Sequence, residues 1–190
     1  ILVNDTDIPS RTRSFLYDET SPSERIIEVI EGLIEQNVTD LLVACNSAHY
    51  FLKGYQVKSN IRFWDLIGNT SKNMLKLGLK SYVVFGGEVT VYSCIYEEYL
   101  ESKMESIKYS KDLFCKVRGV IDEVKSNRIN DNIRNHFLAT VNDVVRKKNE
   151  TVIVLACTEL TFFKRDLLNH GYIVVDSVEE TVLNCINHFE

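Results

Sequence analysis

Blocks of apolar residues recur along the chain at two spacings, and the alternation predicts strands and helices in turn. Residues 1–4 read as a short strand leading into a polar turn, "NDTDIPSRT". In "SPSERIIEVIEGLIEQNV", Ile26, Ile27, Ile30, Leu33 and Ile34 repeat at helical spacing. Ser21 as N-cap, Pro22 in the first turn and Glu24 three residues on form a helix start. "TDLLVA" reads as a buried strand ending at Cys45, followed by a short helix over about 47–56. "IRFWD" (61–65) is a strand, and "NTSKNMLKLG" a helix closed by Gly78. "SYVVFGG" (81–87) is a strand with a glycine turn, with a helix near 90–103 beyond it. Residues 111–148 are mostly helical, broken at "SNRINDN". "TVIVLA" (151–156) is a strand ending at Cys157, then a helix near 160–169. "YIVVD" (172–176) and a helix over 177–188 close the chain.

Strands alternating with helices argue for an α/β fold with a largely parallel sheet. The 190 residues, 45% hydrophobic and 26% charged, suffice for a sizeable core. No apolar run is long enough to span a membrane. The net charge of −5 argues against a nucleic-acid partner, since phosphate binding needs a basic face. A few local cations could still bind a small anion. The five cysteines (45, 94, 115, 157 and 185) are odd in number and contain no C-x-x-C, so reduced thiols in the cytoplasm are expected. The sequence starts at Ile1, without Met and inside an apolar run, and an upstream element is expected.

Two segments repeat: "VTDLLVACNSA" and "ETVIVLACTEL". Thr39 matches Thr151, Ala44 matches Ala156, and Cys45 matches Cys157, 112 positions on. Each cysteine is followed by a strand ending in aspartate, Asp65 or Asp176. The order strand–Cys–helix–strand–Asp–helix therefore suggests a duplicated α/β unit. Ligands of parallel sheets bind at the carboxyl ends of strands, where both cysteines fall. A helix N-terminus favours anions and can activate a thiol or receive a carboxylate. Were the halves to face each other, one thiolate could take a proton from a carbon while the other thiol supplies one to the opposite face, inverting a stereocentre. A single cysteine at a strand end is usually a packing residue; a matched pair followed by polar residues weakens that alternative. Cys94, Cys115 and Cys185 lack this context.

These residues resemble the aspartate/glutamate racemase superfamily, specifically its aspartate racemase branch. The family's C-N-T-A-H appears as Cys45-Asn46-Ser47-Ala48-His49, and its G-C-T-E as Ala156-Cys157-Thr158-Glu159. N-x-x-x-I-P-x-R-T appears as Asn4, Ile8, Pro9, Arg11 and Thr12, and R-G-x-x-x-x-x-K as Arg118, Gly119 and Lys125. Glu159, where glutamate racemases carry His, favours the aspartate branch. The resemblance implies two pseudo-symmetric, Rossmann-like three-layer α/β/α halves with mostly parallel sheets and the active site in the cleft between them. Residues 1–80 plus about 175–190 would form one half and 81–174 the other. It further implies cofactor-independent racemisation of an acidic amino acid, aspartate foremost, by a homodimer that uses no metal.

By the same resemblance, Cys45 and Cys157 would be the acid/base pair. Asn46, Ser47 and Thr158 would hold the α-carboxylate or amino group, with Thr90 a hydroxyl near the α-carboxylate. Arg11 and Lys125 would bind the side-chain carboxylate, and Asn4, Ala48 and Glu159 complete the substrate-binding set. The sequence departs from the family in Ser47 for Thr, in Ala44 and Ala156 for Pro and Gly, and in "GGEVT" (86–90) for a Thr/Gly-rich turn. The family's first strand and Gly-rich loop are not in this sequence.

Other readings of the same residues are open. His49, four after Cys45, allows a Cys-His hydrolase. Asp65 and Asp176 suit helix caps better than catalysis. A related decarboxylase or cis–trans isomerase is a second enzymatic possibility, although such decarboxylases keep only one of the cysteines. A catalytically silent protein that binds an acidic ligand is a third.

Overall fold

The computed structural model describes residues 1–57 and 60–189. Its elements begin with helices α1 (Arg11–Tyr17) and α2 (Ser23–Glu35), strand β1 (Asp40–Leu42), helix α3 (Asn46–Phe51), strand β2 (Arg62–Trp64) and helix α4 (Leu66–Lys76). Strand β3 (Ser81–Gly86) follows, then helices α5 (Glu88–Tyr92) and α6 (Ile95–Leu100) and the two-residue strand β4 (Glu105–Ser106). Helices α7 (Lys111–Lys125) and α8 (Asp131–Val144) lead to strand β5 (Thr151–Ala156) and a 3₁₀ turn (Thr158–Phe163). Helix α9 (Lys164–Asn169), strand β6 (Ile173–Asp176) and helix α10 (Ser177–Phe189) complete the chain.

All strand pairs among the described residues are parallel, in a two-stranded sheet β1-β2 and a four-stranded sheet β4-β3-β5-β6. Parallel sheets need both faces covered, and the larger sheet meets that need by alternation of side chains. Val83, Phe85, Ile153 and Leu155 face α7 and α8 through Val117, Ile121, Phe137 and Val141. Tyr82, Val152 and Val154 face the opposite way, onto Ile67 and Met74 of α4 and Tyr96 and Leu100 of α6. Each fully buried apolar side chain of this kind contributes about 1.5–3 kcal/mol. The smaller sheet has its own core, where Ile26 and Ile30 of α2 pack on Leu41, Ala48 and Leu52. The fold is thus α/β with parallel sheets and two sheet-centred cores, as the sequence suggests. No described helix is long and apolar enough to cross a membrane.

The internal repeat is visible as matched geometry. The first cysteine strand, β1, pairs in parallel with β2, and the second, β5, pairs in parallel with β6. Asp65, directly after β2, caps α4 by accepting from Ile67 N–H and Gly68 N–H. Asp176, at the end of β6, caps α10 by accepting from Val178 N–H and Glu179 N–H. The two capped helices then pack against each other. The chain therefore leaves the four-stranded sheet at Asp176 and returns along α10 to the helix that follows β2. Trp64 on β2 also meets His188 of α10, with ring centroids 5.8 Å apart.

Several expectations are corrected. Residues 1–4 form no strand: an apolar run becomes a strand only by pairing its backbone with a neighbour. The turn that follows them contains α1, capped by the Ser10 hydroxyl accepting from Arg13 N–H. Its seven residues include none that is buried, so no apolar period announces it. Ser21 stands outside α2, where its hydroxyl accepts from Ser23 N–H while Pro22 takes the cap position. The helix expected near 90–103 is split into α5 and α6 by Cys94, whose φ of 55° is left-handed. Gly78 ends α4 as expected, with a φ of 65° that a side chain would strain.

Candidate active site

Both cysteines occupy the same local position. Cys45 has φ −151° and ψ 111° and immediately precedes α3; Cys157 has φ −151° and ψ 133° and immediately precedes the 3₁₀ turn. Each is an extended residue at the carboxyl end of a parallel strand, where the chain turns into helix. Together they line one cavity of about 620 Å³. The first turn of α1 contributes Arg11, Thr12 and Arg13 to it, the turn from β3 into α5 contributes Gly87 and Glu88, and α7 contributes Arg118, Ile121 and Lys125. Thr158 and Glu159 follow Cys157 into the same wall.

A buried hydrogen-bond chain fixes the two cysteine strands relative to each other. Asn46, next to Cys45, donates from Nδ2 to Ser177 Oγ (2.8 Å), and Ser177 Oγ donates to the Leu155 carbonyl (3.2 Å), two residues before Cys157. Tyr96 donates to Asn46 Oδ1 (2.6 Å). Asn46, Tyr96, Ser177 and Leu155 are all buried. The Asn46 amide therefore ties the two cysteine segments together, and Asn46 also lines the cavity beside Cys45. Thr90 is likewise buried and does not line the cavity; its Oγ1 lies 3.1 Å from Ser47 Oγ, which does. Asn4 and Ala48 line an adjoining cavity of about 330 Å³, which shares Arg11, Ala44 and Cys45 with the main one.

On the Cys157 side, Sγ donates to Glu159 Oε2 (2.8 Å), as does Thr158 Oγ1 (3.0 Å), and Lys125 Nζ stands 4.0 Å from Glu159 Oε1. Burial, reinforced by the Glu159 charge, pushes the Cys157 thiol well above its ordinary range. Burial acts to raise Glu159 too, but hydrogen bonds from Cys157 and Thr158 and the Lys125 charge outweigh it and leave Glu159 below its usual value. At rest this pair is a neutral thiol bonded to a carboxylate. On the Cys45 side, His49 is fully engaged elsewhere. Leu66 N–H donates to its Nε2 (3.2 Å), so the proton sits on Nδ1, which donates to the Cys45 carbonyl (2.9 Å). Burial lowers its pKa and keeps the ring neutral. With both nitrogens committed, His49 does not activate the Cys45 thiol, and the Cys-His hydrolase alternative lacks its base.

The site set read from the sequence omitted Glu88, Thr12, Arg13 and Arg118. Glu88 Oε2 accepts from Thr12 Oγ1 (3.2 Å) and from Arg118 Nη1 (2.5 Å). Glu88 could have been found by the rule that pointed to the cysteines: it is a charged residue directly beyond an apolar parallel strand.

The Asp/Glu/Hydantoin racemase family model matches residues 1–185. The chain therefore belongs to that family, and amino-acid racemisation is the class of activity that goes with it. Among solved structures, an aspartate racemase from Picrophilus torridus is 27% identical, over 93% of this chain and 73% of its own, with a TM-score of 0.78. An aspartate racemase homologue from Pyrococcus horikoshii shares the fold at 19% identity, over 93% of this chain and 78% of its own, TM-score 0.73. A glutamate racemase isoform from Bacillus anthracis shares it at 18% identity, over 87% and 63%, TM-score 0.64.

Two outcomes follow from the site's hydrogen bonds. Asn46→Ala strands the buried Tyr96 hydroxyl and Ser177, and urea unfolding should show a loss of about 2–4 kcal/mol; a loss below about 0.5 kcal/mol would contradict the bridging role. Glu159→Gln removes the charge that holds the Cys157 proton. Alkylation of Cys157 by iodoacetamide, followed by peptide mass spectrometry, should then begin at lower pH than in the wild type. In the wild type the folded thiol ionises later than the unfolded one, so the folded chain binds more protons above about pH 9 and its stability falls as pH rises.

Proposed function

We propose that this chain interconverts the enantiomers of an acidic amino acid, aspartate foremost, with Cys45 and Cys157 as the two acid/base groups and without a cofactor. The observation that carries the proposal is the shared cavity: two thiols on matched strand ends, facing one space walled by cationic side chains. The 27% identity to an aspartate racemase supports the choice of substrate.

In this mechanism the substrate's α-carbon lies between the sulfurs. For one hand of substrate, the Cys45 thiolate takes the α-proton; the C–H electron pair is left on carbon, and the Cys157 thiol delivers its proton to the opposite face. The reverse direction exchanges the roles. Glu159, hydrogen-bonded to Cys157 Sγ, is placed to take that thiol's proton when the thiol must act as base. Arg11 makes no ion pair among the described residues, and its planar fork suits the side-chain carboxylate. Lys125 adds positive charge but shares it with Glu159. The Ser47 and Thr158 hydroxyls and nearby backbone amides take the α-carboxylate. Thr90 positions Ser47, and Asn46 positions Cys45 through the α3 start. A two-half arrangement divided near residues 80 and 175, a homodimer and a cytoplasmic setting complete the proposal.

The test is α-proton exchange. Pure L- or D-aspartate in deuterated water should lose optical rotation and gain α-deuterium with the full chain. Cys45→Ala and Cys157→Ala should each reduce the rate by roughly 10²–10⁴-fold. Cys45→Ser and Cys157→Ser should leave exchange with one enantiomer only, opposite in the two variants. Calorimetric binding of aspartate with no exchange in the wild type would make this a silent binding protein and overturn the proposal.

A further inference from the structure

We infer that Glu88 determines specificity, holding the substrate's ammonium group and closing the Arg118 wall of the cleft to a carboxylate. The inference rests on the racemase reading of the cleft. Glu88 begins α5 directly after Gly86 and Gly87, at the end of the strand next to β5, and it is only 9% exposed. A carboxylate so enclosed is costly unless paired, and Arg118 and Thr12 pair it. Both contacts fall on Oε2. Oε1 accepts no hydrogen bond among the described residues, yet Glu88 lines the cavity.

The cations around the cleft are unequally engaged. Arg118 also donates from Nε to both Asp122 oxygens, so two carboxylates already share its guanidinium. Arg13 is held by both oxygens of Glu19. Lys125 faces Glu159. Arg11 lines the cleft without an ion pair among the described residues. Among the described residues the cleft therefore offers one guanidinium without an ion pair, on Arg11, and two carboxylate oxygens that accept no hydrogen bond, Glu159 Oε1, which faces Lys125 at 4.0 Å, and Glu88 Oε1, which faces no cation. That is the complement of a zwitterion: an ammonium fits Glu88 and a carboxylate fits Arg11. A dicarboxylate without an amino group meets the same Arg11 but is repelled by Glu88.

The discriminating ligands are aspartate and succinate, which share both carboxylates and differ in the ammonium. Calorimetry on the full wild-type chain should show aspartate binding at least about tenfold tighter, since a hydrogen bond to a charged group is worth that factor or more. In Glu88→Gln the shape is kept, the charge is lost and Arg118 is partly released. Aspartate should weaken about tenfold and succinate should tighten, shifts of opposite sign that a merely structural role would not produce. Equal binding of the two ligands by the wild type overturns the inference, as does a folded Glu88→Gln protein in which both affinities move together. The wild-type comparison stands even if that variant fails to fold. Because binding is read without turnover, aspartate that binds selectively but never exchanges its α-proton would sink the racemase reading and leave this one intact.

Discussion

The structure depends most on the hydrogen-bond chain Asn46–Ser177–Leu155. Each member is buried, the bonds are 2.8 and 3.2 Å, and the chain runs from the residue beside one cysteine to within two residues of the other. Two sheets that share no strand could meet in many ways. A polar network in an apolar interior narrows the choice, because any other docking leaves its donors and acceptors unpaired. The helix pair α4 and α10 adds further contact, including Asn73 Nδ2 donating to Glu180 Oε2 (2.8 Å), and the caps Asp65 and Asp176 fix where those helices begin. The cleft is thus set largely by groups behind its walls, with Asn46 reaching from that network to the cavity surface.

Within that frame the cleft is electrostatically uneven. Cys157 is half-buried against a carboxylate that helps keep its proton on. Cys45 presents its sulfur from a strand end whose carbonyl is tied to a neutral histidine. The cationic side chains are mostly neutralised by partners, which leaves Arg11 as the open positive point and Glu88 as the enclosed negative one. Such a site favours a small molecule that carries both signs over a plain anion.

Much of this was legible in the residues. The matched strand–cysteine segments, the aspartates that end the following strands and the α/β alternation all rest on local patterns of period two and period 3.6, which carry into the fold directly. The cap role of the two aspartates was also readable. What escaped the sequence depends on distant partners. Residues 1–4 look like a strand but no neighbour pairs with them. α1 buries nothing and leaves no apolar trace, although it delivers Arg11 and Thr12 to the cleft. That Asn46 also bonds Ser177, 131 positions away, could not be read from its neighbours. Glu88 looks like a departure from a glycine-rich turn until Arg118 is seen opposite.

The most direct measurement is a crystal structure of the full chain with a bound acidic amino acid. The account predicts Cys45 Sγ and Cys157 Sγ on opposite faces of the ligand's α-carbon, each about 3.5 Å from it. Both sulfurs on one face, or either one walled off from the ligand by protein, would contradict it.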